Sequence, residues 1–337
     1  MRTLYVSQDF VSADQPGRVR HWQHTRALAA AGHDVTVVTS YVQHKEREIP
    51  ERYRGRRIVV DAEDGLTVMR TYATPGYGSD LRSRVANYGS FAAWAGVAAM
   101  RAPRPDVVVA SSPSLPSAAA AAAVARARGA RLVLEVRDLW PESAEAMGLV
   151  GDPRVIGAAQ RLADGLYRRA DRIVALTEGI RDGVIARGVP DAKITLITNG
   201  VDREVADAPT HGVDLPDDRF VAMYAGAHGT YSSLETVLGA AAALARDPRV
   251  LVVLVGGGDR KNALVAQASG LGLDNVRFID PVPKREVPSW LARADACILP
   301  YQDKALFAGA LPNKTFDYLA AGRPIIAAAP AGELTRL

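Results

Sequence analysis

Short apolar runs alternate with helix-like segments along almost the entire chain, and this alternation restricts the possible folds more than any other feature. Runs rich in Val, Ile and Leu are typical of parallel strands covered on both faces by helices. The pattern occurs twice, on either side of a polar stretch at 202–218 that we interpret as a linker. It therefore predicts an α/β chain of two doubly wound domains, 1–201 and 219–337.

The same pattern places the individual elements. The predicted strands are 3–7, 35–39, 66–71, 106–110, 131–136, 172–175, 193–197, 220–225, 250–255, 275–279, 296–299 and 324–328. The predicted helices are 21–31, 114–128, 178–187, 234–246, 262–269, 287–294 and 313–321. The polar segment 41–64 has no periodicity and is expected to be a long loop. The chain stops at Leu337 with no covering helix after its last predicted strand, so we expect the second domain to be truncated.

Composition narrows the class of protein without identifying it. Of the 337 residues, 48% are apolar and 23% are charged, as in ordinary soluble domains. Cys297 is the one cysteine, so neither an intramolecular disulfide nor a thiolate metal cluster can form. The first residues lack the apolar stretch of a signal peptide, and no run is long enough to span a bilayer. A net charge of +4 does not predict a nucleic-acid partner, and we expect a cytoplasmic protein.

The first candidate site lies where charged and aromatic residues follow a predicted buried strand. The segment 135–143 reads Glu-Val-Arg-Asp-Leu-Trp-Pro-Glu-Ser and contains Arg137 and Asp138. Open α/β sheets bind ligands at the carboxyl ends of their strands, and charges there are costly unless they are used. The alternative is a structural Arg137–Asp138 ion pair beside a core Trp140.

Two glycine-containing loops next to predicted helices are candidates for phosphate binding. The loop 7–20 carries Gly17, and the loop 255–261 reads Val-Gly-Gly-Gly-Asp-Arg-Lys and ends at Lys261. Free backbone N–H groups and the positive end of the helix dipole attract anions at such positions. The second loop lacks the G-x-G-x-x-G spacing of dinucleotide-binding proteins. An ordinary strand-to-helix turn would also use these glycines, so each loop alone is weak support.

The segment 307–324 combines a loop of small residues with a helix predicted to begin near Asn313. Lys314 and Asp317 lie on the same face of this helix as Asn313. The Asp317 carboxylate can accept hydrogen bonds from sugar or ribose hydroxyls. The alternative is an ordinary helix on which Lys314 and Asp317 are solvated charges. We favour a functional role because other residues of the helix already supply its buried face.

Six stretches of the sequence, in order, resemble the motifs of glycosyltransferase family 4. The stretches are 4–8, 31–39, 135–143, 198–202, 224–226 and 314–324. The sequence is most similar to the bacterial subgroup that assembles surface polysaccharide on a lipid carrier, such as the N-acetyl-L-fucosamine transferases. The resemblance implies a GT-B fold, in which two Rossmann-like domains face each other across a cleft. It also implies a retaining reaction without a metal or other cofactor, with the acceptor on the N-terminal domain and the nucleotide sugar on the C-terminal domain.

The resemblance implies roles for individual residues. The implied donor-binding residues are Gly17, Gly226, His228, Gly229, Lys261, Gly309, Ala310, Asn313, Lys314 and Asp317, and the implied catalytic residues are Asp138 and Arg137. Asp317 stands at the second glutamate of the family's E-x7-E signature, whereas Gly309 replaces the first. A backbone N–H of Gly309 or Ala310 would therefore meet the sugar hydroxyls.

Two further positions depart from the family pattern. Many members carry a basic pair after the first strand of the second domain; it is missing here, and His228 and Lys261 are the candidate replacements. A histidine of the catalytic region in many relatives is replaced by Arg137, next to Asp138. We expect Asp138 to orient the acceptor or to stabilise the positively charged sugar centre.

The predicted function is retaining transfer of a hexosyl or N-acetylaminosugar residue from a nucleotide diphosphate donor, expected to be UDP-linked. The expected acceptor is a glycan, lipid-linked in our interpretation, in the biosynthesis of surface polysaccharide such as O-antigen or capsule. Two alternatives remain open: a non-hydrolysing sugar-nucleotide 2-epimerase of the same fold, and a non-catalytic carbohydrate-binding protein. A Rossmann dehydrogenase is disfavoured because the first strand lacks the dinucleotide fingerprint.

A segment of the first domain is a candidate for binding an anionic membrane surface. Residues 81–105 contain four arginines and no acidic residue, interleaved with aromatic side chains. The residues concerned are Arg82, Arg84, Tyr88, Phe91, Trp94, Arg101 and Arg104. This composition resembles a helix that lies on a bilayer, which would make the protein peripheral on the inner face of the cell membrane. The equal alternative is a domain helix whose aromatics belong to the core.

Overall fold

The computed structural model describes residues 1–17, 19–42, 48–75, 81–148, 150–201, 203–207 and 211–337. They form two compact units, one of Met1–Val11 with Arg18–Thr198 and one of Ser12–Gly17 with Asn199–Leu337. Residues 202 and 208–210 of the predicted linker, and 43–47 of the predicted long loop, lie outside the described part of the chain. Among the helices that the structure describes, none combines the length and apolarity needed to cross a bilayer.

The first unit is built on an eight-stranded sheet. In chain order its strands are β1 (Arg2–Val6), β2 (Asp34–Ser40), β3 (Ile58–Glu63), β4 (Leu66–Thr71), β5 (Val107–Ser111), β6 (Arg131–Val136), β7 (Arg172–Ala175) and β8 (Ile194–Leu196). Their order across the sheet is β3-β4-β2-β1-β5-β6-β7-β8, parallel except for β3, which runs antiparallel to β4. The direction of winding changes at β1, between β2 and β5. Ligand crevices of open α/β sheets form at such a point.

Helices cover this sheet because its apolar strands would otherwise face water. They are α1 (Arg20–Ala30), α2 (Leu81–Arg101), α3 (Leu115–Arg128), α4 (Glu142–Ala146), α5 (Pro153–Arg169) and α6 (Glu178–Ala186). Local sequence sets several of their ends. The Asp152 carboxylate accepts from the backbone N–H of Arg154 at the start of α5, and Gly129, at φ +65°, ends α3 in the left-handed conformation.

Three elements of the first unit differ from the sequence-based expectation: β3, α5 and the short helix α4, which no predicted helix covers. The prediction of a loop at 41–64 is wrong over β3, an edge strand on which charged residues disrupt the apolar pattern. There, Arg70 of β4 bonds to Glu63 at 2.7 Å and contacts Asp61 at 3.5 Å. The helix α5 was not predicted. Its sequence contains two glycines, and most of its buried residues lie in its C-terminal half. Tertiary packing against α3 stabilises the helix.

The second unit repeats the architecture on a smaller scale. Its strands are β9 (Phe220–Ala225), β10 (Val250–Val255), β11 (Val276–Ile279), β12 (Ala296–Pro300) and β13 (Ile325–Ala328). All pair in parallel, in the order β11-β10-β9-β12-β13, so the winding changes at β9. The helices of this part are α7 (Arg203–Ala206), α8 (Leu234–Ala243), α9 (Lys261–Gly270), α10 (Val287–Leu291) and α11 (Asn313–Ala320). The predicted α/β class with two doubly wound sheets is confirmed.

We expect the core under α2 to be a large contributor to stability. Phe91 is fully buried in the core of the first unit, on the helix α2 that packs on α3, β2 and β4. Phe91→Ala should lower the free energy of unfolding by about 3–5 kcal/mol, because it leaves a cavity that the helix cannot close. Urea unfolding followed by circular dichroism measures the loss. Val97, 40% exposed on the same helix, is the matched control, and Val97→Ala should cost no more than about 0.5 kcal/mol. Equal losses would contradict this assignment of the core.

Candidate functional site

A buried charged network lies at the carboxyl ends of β1, β5 and β6. Its centre is Glu135, 3% exposed, near the end of β6. One carboxylate oxygen accepts from Nε of Arg20 at 2.8 Å. The other accepts from the Ser111 hydroxyl at 2.7 Å and lies 3.1 Å from Nε2 of His21. On the far side of the imidazole, the Ser7 hydroxyl lies 2.7 Å from Nδ1. The network therefore ties three strand ends to the first turn of α1.

The charge of Glu135 is stabilised by its partners. Burial acts to raise the pKa of Glu135, but the hydrogen bond and charge of His21, with the charges of Arg20 and Arg137, hold this pKa well below its usual range. Arg20 also donates to the carbonyls of Thr198 and Ile197, at 3.0 and 3.3 Å. The end of the first unit's chain is thus fixed to the same network.

Sequence reasoning missed most of this network. The sequence pattern places Glu135 only at the start of a motif, and it does not mark Arg20, His21 or Ser111 as site residues. A usable signal was present: an Arg-His pair at the start of a helix that follows the first strand, and a glutamate inside an otherwise apolar strand. These groups are far apart in the sequence, and the sheet order brings them together.

The two predicted catalytic residues directly follow this strand. Arg137 is half-buried, and its guanidinium donates from Nε to the Ser112 carbonyl at 2.9 Å. Asp138 is exposed. Trp140 packs partly buried against the core of the unit, as the structural alternative expected for that residue. Arg137 and Asp138 therefore lie beside the buried network at the carboxyl edge of the sheet.

In the second unit the glycine turn after β10 is packed against the loop after β9. A side chain at Gly256, where φ is +141°, would overlap the carbonyl oxygen of Gly226, and one at Gly258 would overlap that of His228. The backbone N–H of His228 donates to the Gly257 carbonyl at 2.9 Å. Glycine is required here because the two loops approach backbone to backbone.

Two predicted donor-binding residues serve this turn. The His228 side chain is fully buried, with its ring 5.9 Å from Tyr224 and 6.2 Å from Phe278. The Lys261 ammonium donates to the carbonyls of Gly256 and Ile279, both at 3.0 Å, and to Asp280 at 2.7 Å. In the structure Lys261 therefore bonds the glycine turn to the end of β11, and the His228 ring packs against aromatic residues of β9 and β11.

Lys314 occupies the centre of the candidate site. Its ammonium donates to the Tyr224 hydroxyl at 2.7 Å and lies 4.2 Å from the centre of that ring and 5.8 Å from that of Tyr301. A Cβ at Gly226 would be 3.3 Å from the ammonium nitrogen, so Gly226 leaves the space that the lysine uses. Burial lowers the pKa of Lys314 to about 7, although part of the side chain is exposed. A cation held this way, with a neutral partner, is suited to binding an anion.

One turn further along α11, Asp317 forms an ion pair that the sequence did not predict. The Lys284 ammonium bonds to its carboxylate at 2.5 Å, and both side chains are about one-seventh exposed, at 14% and 13%. Burial raises the pKa of Asp317, and the charge of Lys284 opposes that rise. Asn313 is the first residue of α11, so Asn313, Lys314 and Asp317 share the helix whose N-terminus points to the carboxyl edge of the sheet.

The remaining predicted residues lie in turns of the second unit. Gly229 precedes the 3₁₀ turn Thr230–Ser232, and Gly309 ends the 3₁₀ turn Ala305–Gly309. The N–H of Ala310, one of the two groups expected to donate a hydrogen bond to the sugar hydroxyls, donates instead to the Phe307 carbonyl at 3.2 Å. Gly17, at φ +154°, ends the segment Ser12–Gly17, whose residue Gln15 accepts from the N–H of Lys284 at 3.4 Å.

The structure therefore brings part of the candidate set of the second unit together, at the loop after β9 and the start of α11. Gly226, Lys314 and the glycine turn adjoin one another, and Asp317 follows Lys314 on the same helix. Among the residues that the structure describes, no group of three or more His, Cys, Asp or Glu side chains is arranged to hold a metal ion.

Two family descriptions match the chain, one for each unit. "Glycosyl transferase 4-like domain" matches residues 18–200, and "Glycosyl transferases group 1" matches residues 219–336.

Individual relatives are similar over most or part of the chain. WcaI of Escherichia coli (strain K12), whose name assigns it to glycosyl transfer in colanic acid biosynthesis, is 29% identical over 319 residues, covering 90% of this chain and 77% of the relative. A D-inositol 3-phosphate glycosyltransferase of Streptosporangium roseum is 30% identical over 196 residues, covering 53% of this chain and 43% of the relative. The matched part thus spans less than half the length of the second relative.

Solved structures share the fold. Anabaena HepE in complex with UDP-glucose superposes with a TM-score of 0.67 at 17% identity, covering 100% of this chain and 82% of that one. WaaG, a glycosyltransferase involved in lipopolysaccharide biosynthesis, gives 0.66 at 14% identity, covering 96% and 80%. At these identities the likeness shows the fold alone, and it confirms two Rossmann-like domains.

The buried lysine makes stability depend on pH in a defined direction. The pKa of Lys314 falls from 10.5 to about 7 on folding, so between these values the unfolded chain binds more protons. Compared with Lys314→Met, the wild type should gain stability as pH rises through this window, by up to about 1 kcal/mol per pH unit. Denaturant unfolding of both proteins across the window measures the difference. Parallel pH dependences would show that Lys314 is not buried as described.

Proposed function

The chain belongs to the glycosyltransferases that join a glycosyl transferase 4-like domain to a group 1 domain, and we propose that it transfers a hexosyl or N-acetylaminosugar residue from a UDP-linked donor. The acceptor in this proposal is a glycan, lipid-linked, and the process is biosynthesis of surface polysaccharide. The name of WcaI, which refers to colanic acid biosynthesis, supports the process, and the HepE complex with UDP-glucose supports a uridine donor.

The observation that carries the proposal is the Lys314 ammonium at the carboxyl edge of the second sheet. It lies beside Gly226 and on the first turn of α11, where the helix dipole adds positive potential. A diphosphate carries the complementary charge. Asp317, on the same helix, is an acceptor for the hydroxyls of the ribose or the sugar. In this proposal the protein's own groups supply the positive charge, and no bound metal is required.

The proposed reaction breaks the bond between the sugar's anomeric carbon and the diphosphate oxygen, and forms a bond from that carbon to the acceptor oxygen. Negative charge builds on the leaving diphosphate, where Lys314 stabilises it. The acceptor hydroxyl loses its proton to the leaving phosphate oxygen, so the new bond forms on the same face and configuration is retained. Asp138 orients the acceptor or stabilises the positively charged sugar carbon, with Arg137 beside it.

Two single substitutions test these roles. Lys314→Ala and Asp138→Asn should each lower kcat/KM at least about a hundredfold, because each removes a charge from the reacting groups. The measurement is release of nucleoside diphosphate from UDP-sugars with lipid-linked acceptors, with circular dichroism to verify the fold. Asp182→Asn, on the exposed surface of α6, is the matched control for Asp138 and should retain full turnover. Full turnover in Lys314→Ala or Asp138→Asn would remove that residue from the mechanism.

The same assay separates the alternative functions. An epimerase would convert the donor to a product of equal mass without any acceptor, which mass spectrometry with chromatography detects. A carbohydrate-binding protein would bind glycans and release no diphosphate. Donor and acceptor consumed in equal amounts would support transfer.

We also propose that the first unit binds anionic membrane surfaces through the neighbouring helices α2, α3 and α5. Phe91 is a core residue, as the alternative for this helix expected, and the side chain of Arg82 lies outside the description. Exposed apolar residues remain on these helices: Val85, Val97, Met100, Val155 and Leu162. Between α3 and α5 lies a cavity of about 350 Å³ lined by Ala119, Leu162, Leu166, Arg161, Arg168 and Arg169. Arginines around an apolar cavity lining are suited to binding lipid phosphates. Such binding would make the protein peripheral on the cytoplasmic face of the membrane.

Liposome flotation tests the membrane proposal. The protein should float with vesicles that contain phosphatidylglycerol and stay behind with pure phosphatidylcholine, because binding depends on anionic headgroups. Exchanging Arg161, Arg168 and Arg169 for Glu should abolish flotation. The matched control reverses three exposed arginines of the second unit instead: Arg246, Arg249 and Arg277. Equal flotation of both triple variants would exclude this helix face as the contact.

A further inference from the structure

Helix α11 carries opposite charges one turn apart that do not pair with each other. Lys314 and Asp317 are three residues apart, a spacing at which oppositely charged side chains are neighbours and commonly pair. In the structure the Lys314 ammonium bonds to the Tyr224 hydroxyl at 2.7 Å, and the Asp317 carboxylate bonds to Lys284 at 2.5 Å. The Asp317 carboxylate is therefore paired with Lys284, a cation from outside the helix.

Lys284 is held in place independently of this ion pair. It begins the 3₁₀ turn Lys284–Glu286, which follows β11 in the chain. Within this turn the N–H of Glu286 donates to the Pro283 carbonyl at 2.9 Å, and the N–H of Lys284 donates to Gln15. These backbone hydrogen bonds do not involve the Lys284 side chain, so a substitution there leaves them available and tests the charge.

The charge balance explains why a second lysine matters. A carboxylate that is 13% exposed needs a counter-charge, and on its own helix the cation within reach is Lys314. If Lys314 paired with Asp317, an incoming diphosphate would have to break that pair and would also meet the unneutralised carboxylate. Because Lys284 pairs with Asp317, the diphosphate neither has to break a Lys314–Asp317 pair nor meets an unneutralised carboxylate. Lys314 keeps the Tyr224 hydroxyl as a neutral hydrogen-bond partner.

We propose that Lys284 is a positioning residue that holds the Asp317 carboxylate apart from Lys314, so that the Lys314 ammonium remains available to a diphosphate. The inference rests on the proposed function only in taking the ligand to be a nucleoside diphosphate. Lys284 acts through Asp317 and needs no contact with the ligand.

A double-mutant cycle on the full chain tests the coupling. Lys284→Met should weaken UDP binding about tenfold in isothermal titration calorimetry, because Asp317 then competes for Lys314. In the Asp317→Asn background the same substitution should change the dissociation constant by less than about twofold, since no carboxylate remains to compete. Lys284→Arg keeps the charge and should bind UDP as the wild type does.

A second measurement separates this role from a purely structural ion pair. In Lys284→Met the pKa of Lys314 should rise from about 7, because the ammonium gains a carboxylate beside the phenols of Tyr224 and Tyr301. In Lys284→Met combined with Asp317→Asn it should return to about 7. NMR titration of lysines labelled at Cε follows this group, identified by its absence in Lys314→Met. Loss of a structural ion pair alone would not raise this pKa.

Arg249→Met removes a surface cation of the same unit, paired with Asp247 at 2.7 Å, and should change neither measurement. An unchanged Lys314 titration in Lys284→Met, or an equal loss of UDP affinity with and without Asp317, would overturn the positioning role. If the wild type bound none of UDP, GDP and dTDP, the proposed function would fail, while the titration would still report on Lys284.

Discussion

Charge buried at the carboxyl edges of the parallel sheets must be compensated by groups from other elements, and the arrangement of both units depends on that compensation. A carboxylate such as Glu135 is stable at 3% exposure because Arg20, His21 and Ser111 all bond to it. These partners come from a helix and a neighbouring strand, so the network also aligns the elements around the point where the first sheet changes winding.

In the second unit, two lysines with different partners lie near the carboxyl edge of the sheet. Lys284 neutralises Asp317, whereas Lys314 rests on a phenol and two aromatic faces. Lys284 is thus committed to an ion pair, whereas the Lys314 ammonium bonds to a neutral hydroxyl. In the proposed reaction this difference matters, because a leaving diphosphate is stabilised best by a cation that does not have to abandon a carboxylate.

Elements that are stabilised by local sequence features were easier to predict than elements that depend on distant residues. The central strands β9, β10 and β12 were predicted within a few residues, because they are apolar runs buried on both faces. The strand β3 was missed because it is an edge strand whose alternating charges bond to Arg70 of its neighbour. In the candidate site, Lys314 and Asp317 were predicted from their place on a helix. Their partners Tyr224 and Lys284 were not, since they are 90 and 33 residues away in the chain.

The sequence by itself determined the two-domain α/β class, the resemblance to family 4, and the glycines and charges at the strand ends. These depend on periodicity and on residue types that are read locally. Only the tertiary structure decided what these side chains do: Lys261 bonds to the glycine turn, His228 is buried beside it, and Glu135 is the centre of a buried network. Whether a lysine is paired, and how far burial moves its pKa, depends on neighbours that the sheet order brings together from distant segments.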